Sequence, residues 1–338
     1  MSWALIPVAR HIGLVDRPDA RKRHAGDMPL VGGMAMFCGF SFAVLAGGIS
    51  VGPERALLAG AMLLVIAGVL DDFRELSALS RFVAQIISSL LMIYWGHTVL
   101  RDLGHLWPSG ALFELGWLAA PITVFAVVGG INALNMADGL DGLAGGLALI
   151  ALLPLTYLAW EAGASHLLPF IGITAACVLG FWILNMRFPW QSRARLFMGD
   201  GGSMFVGFLI TWFLADLSQE PHRAIAPVTA LYLFAIPLLD TVFVMVRRVR
   251  GGRSPLSADR LHLHHLLLDM GLTPGRAVVS ILAMGVVLAG LGLAGRYASV
   301  PENLMFGGFL AIFAAYYWAC TSLRREAGEW QGSHRQNG

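Results

Sequence analysis

The sequence predicts an all-α polytopic integral membrane protein of about ten transmembrane helices, and three observations carry that prediction. Of its 338 residues, 57% are apolar and 13% charged, where soluble domains carry about 25% charged residues. The mean hydropathy is +0.69. The apolar residues fall into successive segments of roughly 20 residues, and a lipid-facing segment of that length must satisfy its own backbone as a helix.

Taken in order, the predicted spans are 33–51, 55–70, 79–96, 116–134, 144–160, 167–185, 201–217, 224–246, 276–294 and 303–323. Residues 1–323 read as one transmembrane domain, and 324–338 as a polar cytoplasmic tail without order. Cys38, Cys177 and Cys320 lie within apolar segments and show no metal-ligand spacing. Met1–Val8 is apolar but short, and Arg10 follows too early for a cleavable signal peptide. Net charge is only +2, so the placement of charge matters more than its sum. All of the 23 Lys and Arg residues except Arg55, Arg101, Arg223 and Arg296 fall on one set of alternate loops and ends. By the positive-inside rule that set faces the cytoplasm.

The same side receives the notable polar residues. Asn132-Ala-Leu-Asn-Met-Ala-Asp-Gly-Leu-Asp-Gly-Leu-Ala-Gly-Gly146 ends one span and begins the next. Asp138 and Asp141 are three residues apart, so on a helix they share a side. Asp71 and Asp72 close the second span, and adjacent carboxylates repel unless a cation or proton lies between them. Hard oxygen donors of this kind suit Mg²⁺ or Mn²⁺; the plain alternative is a solvated acidic loop paired with Arg74. Leu196-Phe-Met-Gly-Asp-Gly-Gly-Ser203 leads into an apolar helix whose N-terminus could accept a phosphate, or whose Asp200 or Ser203 could simply cap it. The longest cytoplasmic connection, 247–265, holds an arginine cluster and His262-Leu-His-His265. Arginines make bidentate contacts with phosphate, or serve topology and lipid headgroups. The histidines could bind a metal, zinc included, or donate to phosphate. The basic segment 17–33 reads as topology and lipid contact or as part of the site. Asp240, the one acid well inside a span, reads as a structural group between helices, and Asn185 as a cap. Together these residues describe metal-assisted phosphoryl chemistry at a membrane face, with no Ser or Cys nucleophile motif in view.

On the stretches GLVDRPDARKRH and PLVGG within 13–33, LDDFRE (70–75), NALNMADGLDGL (132–143), FMGDGGS (197–203) and SPLSADRLHLHH (254–265), the chain closely resembles the polyprenyl-phosphate N-acetylhexosamine-1-phosphate transferases. Within that family it is most similar to the bacterial branch that uses UDP-N-acetylglucosamine and undecaprenyl phosphate. The resemblance implies transfer of N-acetylglucosamine-1-phosphate to undecaprenyl phosphate with release of UMP, initiating a cell-surface polysaccharide of the O-antigen type. It implies Mg²⁺ (or Mn²⁺), a bacterial inner-membrane location and an active site facing the cytoplasm. The partners are the bilayer, the two substrates and, as in other members, a second copy of the chain; no nucleic acid is expected.

By the same resemblance, Asn135, Asp200, Asp71 and Asp72 are metal ligands. Asp71, Asp72, Asp200, His264 and His265 form the catalytic set. Asp138, Asp141, Phe197, Arg248 and His262 contact substrate, with Phe197 stacking on uracil. Two departures stand out. Members of this branch usually carry a full span before GLVD, where this chain has Met1–Ala9, so either translation starts upstream or ten spans suffice. Members also often carry a lysine after the aspartate pair, where the nearest cation here is Arg81. A phospho-N-acetylmuramoyl-pentapeptide transferase shares the aspartate pair and DGLDG and is the competing enzyme. An ion-coupled transporter, with Asp240 and the span-end acids as its path, is the competing class; a hydrolase is a weaker third.

Overall fold

The structure, a computed structural model, describes residues 2–16, 27–52, 54–252, 254 and 262–336. Residues 17–26, 253 and 255–261, which include Arg17, Arg21, Lys22, Arg23, Arg253 and Arg260 of the two basic connections, lie outside the described residues. The elements are α1 (Ser2–Ile12), an antiparallel pair β1 (Val15–Asp16) and β2 (Met28–Pro29), and then helices. These are α2 (Gly32–Ala46), α3 (Arg55–Arg74), α4 (Ala78–Leu90), α5 (Ala119–Ala137), α6 (Leu143–Glu161), α7 (Leu168–Asn185), α8 (Gly199–Leu217), α9 (Pro227–Leu233), α10 (Ala235–Arg250), α11 (Leu263–Asp269), α12 (Pro274–Tyr297) and α13 (Glu302–Gln336).

All ten apolar segments are helical, but not all are single long spans. Among the described residues eight helices are long and apolar enough to cross a membrane, and the count reaches nine if α9 and α10 are one span. α2 has 15 residues, where a straight crossing needs about 20. The expected span 224–246 is broken at Phe234, where α9 and α10 meet at 86°. Pro237 accounts for the break. Its ring would meet the carbonyl of Leu233 and it has no N–H to donate, so a continuous helix through Leu233–Pro237 is disfavoured. α13 runs on through the polar residues from Arg324 to Gln336. No proline interrupts Arg324–Gln336, and its Ala, Glu, Gln and Arg residues are good helix formers.

α8 is the axis of the bundle. Every residue from Gly201 to Ala215 is buried, as expected of a helix that is apolar on all sides. Lipid offers no hydrophobic drive between helices, so small residues that let backbones approach do much of the fastening. A Cβ on Gly68 of α3 would collide with the backbone of Gly201, and one on Gly33 of α2 with the backbone of Gly202. Phe205 adds edge-on contacts with Phe37 and Phe40 at ring separations of 5.7 and 5.8 Å. These contacts hold the start of α8 beside the end of α3 and the start of α2.

Candidate active site

The chain brings the ends of α3 and α5 and the beginning of α8 to one place. α3 closes at Glu75, whose backbone is left-handed (φ 46°) and whose N–H donates to the Asp71 carbonyl at 2.8 Å. That turn lets the Leu76 N–H donate to Asp71 Oδ1 at 2.6 Å. The other Asp71 oxygen accepts from Arg81 Nη1 at 3.0 Å. The same nitrogen lies 3.6 Å from Asp200 Oδ2, so one guanidinium is shared by two carboxylates. Asp72 Oδ1 accepts the Asp200 N–H at 3.0 Å, one of the donors left open at the start of α8. Asn135 Nδ2 donates to Asp200 Oδ1 and to the buried Ser203 hydroxyl, each at 2.7 Å. Asp71, Asp72, Asn135 and Asp200, all expected metal ligands, are therefore one hydrogen-bonded cluster drawn from three helices.

The PLVGG stretch turns out to be the frame for the glycine turn. Phe197 N–H donates to the Pro29 carbonyl at 2.9 Å, and the N–H groups of Gly32 and Gly33 donate to the carbonyls of Phe197 and Met198 at 3.0 and 2.9 Å. Phe197, half-buried, is thus fixed three residues before Asp200.

Asp138 and Asp141 occupy the turn between α5 and α6 and do different things. Asp138 is half-buried, and its carboxyl is pushed up to about 7, first by burial and then by the negative charges of Asp200 and Asp141. Asp141 Oδ2 accepts from Arg187 Nε at 2.7 Å and from the Ala194 N–H at 3.3 Å. Asn185 is no ordinary cap. Its side chain accepts the Gly142 N–H at 2.7 Å and donates to the Leu196 carbonyl at 3.0 Å, tying the DGLDG turn to the segment before α8. Asn132 donates to Gln85 Oε1 at 2.7 Å and to its own helix, a structural contact between α4 and α5.

The histidines reach the same turn. The ring of buried His264 occupies the space that a Cβ on Gly139 would need. Burial, and then the neighbouring His265, pull its imidazole down to about 3, so His264 is neutral across the physiological range. His265 faces it at a ring separation of 4.2 Å. His262 Nδ1 donates to Asp240 Oδ2 at 2.7 Å, while Asp240 Oδ1 accepts from the Leu263 N–H at 2.8 Å and the Tyr316 hydroxyl at 2.9 Å. The acid inside a span is therefore the anchor of the histidine stretch. Arg248 lies buried on the last turn of α10.

Asp71 and Asp200 thus share Arg81, Asp72 is bonded to the backbone of Asp200, Asp138 feels the charge of Asp200, and Asp200 is one-third exposed. A hard divalent cation fits the donor set of Asp71, Asp72, Asp200 and Asn135: three carboxylates and a carboxamide, oxygen donors of the type Mg²⁺ or Mn²⁺ takes, with more negative charge than one arginine neutralises. Sequence reasoning named Arg81 only as a nearby cation and missed Arg187 as the partner of Asp141. Neither has a local pattern that singles it out: Arg187 is 46 residues from Asp141, and Arg81 reaches Asp71 across the turn between α3 and α4 and Asp200 from another helix.

The Glycosyl transferase family 4 profile matches residues 55–218. The chain is 38% identical over 310 residues to the undecaprenyl-phosphate alpha-N-acetylglucosaminyl 1-phosphate transferase of Escherichia coli O157:H7, covering 91% of this chain and 84% of that one. It is 39% identical over 310 residues to the protein of that name from Yersinia pestis, with the same coverage. The Haemophilus influenzae protein of that name is 38% identical over 315 residues, covering 93% of this chain and 88% of its own.

Proposed function

Because the chain belongs to the family of undecaprenyl-phosphate N-acetylglucosaminyl 1-phosphate transferases, we propose that its carboxylate cluster transfers N-acetylglucosamine-1-phosphate from UDP-N-acetylglucosamine to undecaprenyl phosphate. A lipid-phosphate oxygen forms a bond to the β-phosphorus, the bridging P–O bond breaks, and UMP leaves with the electron pair. The observation that carries this reading is the convergence of Asp72, Asn135 and Asp200 from three helices. Phosphoryl transfer needs positioning and charge stabilisation more than covalent chemistry. The acceptor phosphate, with a second pKa near 6, is largely dianionic at neutral pH and needs little activation, so direct attack is favoured over a covalent aspartyl intermediate.

Asp200, Asp72 and Asn135, with Asp71, would hold Mg²⁺, which when bound offsets the charge of the diphosphate. Both Asp71 oxygens already accept hydrogen bonds, so its larger share is to aim Arg81, whose partly exposed guanidinium is placed to receive the lipid phosphate. Neutral His264, with His265, donates to the diphosphate. His262 is held by Asp240 on the sugar-phosphate side. Phe197 stacks on uracil, Asp138 and Asp141 flank the nucleotide, and Arg248 contacts the sugar. The arginine distribution supports a cytoplasmic site in a bacterial inner membrane, where the product initiates a surface polysaccharide; a homodimer is part of this reading.

Exchange of labelled UMP into UDP-N-acetylglucosamine by protein in lipid-phosphate-containing micelles tests it. Mg²⁺-dependent exchange that Asp200→Asn abolishes is expected. Exchange only with the muramoyl-pentapeptide donor would move the chain to the competing branch. Solute flux in proteoliposomes without UMP release would replace the transferase with a transporter.

A further inference from the structure

At the end of α8 remote from Asp200, about 24 Å along the helix, lies a second group of ligating side chains that the transfer reaction does not use. His166, in the turn before α7, places Nε2 3.2 Å from Asp216 Oδ2. His222, in the loop after α8, places Nδ1 3.2 Å from Asp216 Oδ1. The two imidazoles face each other at a ring separation of 3.9 Å. Ligand atoms of all three residues lie within 4.8 Å of one another.

We propose that His166, Asp216 and His222 form a second divalent-metal site, selective for a borderline cation of the Zn²⁺ class over Mg²⁺. The reasons are geometric and chemical. A hydrogen bond from imidazole to carboxylate is normally about 2.7–2.9 Å when charge-assisted, and the chain contains one: His262 to Asp240, at 2.7 Å. Both histidine contacts of Asp216 are longer. They match instead the edge of a tetrahedron of ligands around a Zn²⁺ ion, about 3.3 Å for bonds of roughly 2.0–2.1 Å. Two imidazoles this close cannot both carry an extra proton without repulsion, whereas both can be neutral ligands of one ion. Imidazole nitrogen suits Zn²⁺ and is a poor donor to Mg²⁺. A further carboxyl, Glu54 at the start of α3, is buried and electrostatically coupled to His166, Asp216 and His222. His222 is 44% exposed and gives an ion a way in. The bound ion would staple the beginnings of α3 and α7 to the end of α8, fastening the far end of the helix that carries Asp200. This inference does not depend on the transferase reading.

The test uses the full chain in detergent, stripped with a chelator, in an Asp200→Asn, His264→Gln, His265→Gln background that weakens the carboxylate cluster and removes the two histidines beside it, while excess Mg²⁺ occupies the remaining oxygen donors. Zn²⁺ is added in excess Mg²⁺ and read by metal content after gel filtration, by thermal shift and by the visible spectrum of a Co²⁺ substitute. Expected are one ion per chain, a higher Tm and a tetrahedral Co²⁺ spectrum. His166→Gln and His222→Gln should each weaken binding at least about 100-fold. If His166→Gln does not fold, the exposed His222→Gln, judged monodisperse by gel filtration, decides alone. In an otherwise unaltered chain, His222→Gln should leave UMP exchange intact. No retained Zn²⁺ in the background chain, or retention unchanged in His222→Gln, overturns the proposal and leaves a hydrogen-bonded His–Asp–His cluster.

Discussion

The two ends of α8 treat charge differently. At its beginning Asp71 and Asp200 share Arg81, with Asp72 and Asp138 close by. On the opposite side of the bundle, apart from the His166–Asp216–His222 cluster, Arg223 and Arg296 each hold a carboxylate of their own, with exposed Glu220 a second partner of Arg223 at 3.3 Å. Arg223 Nη2 meets Asp102 Oδ2 at 2.6 Å, and Arg296 Nη1 meets Glu161 Oε2 at 3.0 Å. Gln219 there accepts the N–H groups of Arg101 and Asp102 and donates to the Asp102 carbonyl. A balanced pair fastens loops; an unbalanced cluster held rigid by glycine packing is poised for ligands that bring the missing charge. The difference teaches where to look for chemistry in a bundle whose helices are otherwise alike.

The largest effect should come from Asp200→Asn. It removes the charge that Arg81 and Asn135 are arranged around while keeping the shape, and exchange activity should fall by about 10³-fold or more, with Tm little changed. A smaller loss breaks the comparison from the cation side. Arg81→Ala should lower kcat/KM by about 10–100-fold, chiefly as a weaker response to lipid phosphate. Arg81→Lys should recover part of that, since a lysine offers a point charge without the planar fork. Equal losses in Arg81→Ala and Arg81→Lys would show that the shared geometry, not the charge, matters.

Arg223→Ala tests the other end. It leaves Asp102 buried without its cation, which costs roughly 3 kcal/mol. A Tm lower by several degrees with unchanged kcat/KM is expected. If activity falls while Tm holds, the two faces are not divided as described.

Much of this division is legible before any coordinates. Helical spans follow from hydropathy, and DD, NALNMADGLDGL and FMGDGGS announce themselves as polar residues at span ends. What local pattern does not reveal is pairing. Arg187 stands 46 residues from Asp141, and Asp240 meets His262 and Tyr316 at separations of 22 and 76 residues. Such contacts depend on how helices cross, which hydropathy does not encode. The bend at Phe234 escapes for a related reason. A window average over 224–246 is apolar throughout, and only the placement of Pro237 breaks the backbone. The role of PLVGG is similarly hidden, because its glycines matter for the backbone that lies against them.

The smallest expected effect concerns Asp138, where the unbalanced end can be titrated. Its folded-state pKa, about 7, lies above the ordinary value near 3.9. The folded chain therefore holds this proton more tightly than the unfolded chain. Its contribution to stability is complete below the ordinary value, declines as pH rises towards 7, and is a net penalty above it. Asp138→Asn removes that penalty. In chelator, Tm should rise by about 2–4 °C at pH 8 and by less than half as much at pH 5. Activity should fall if Asp138 faces the nucleotide, so the same substitution would stabilise the chain and impair it. A variant whose Tm gain is the same at both pH values would mean that the carboxyl is already ionised in the folded state, and that the acids at this end repel one another less than their arrangement implies.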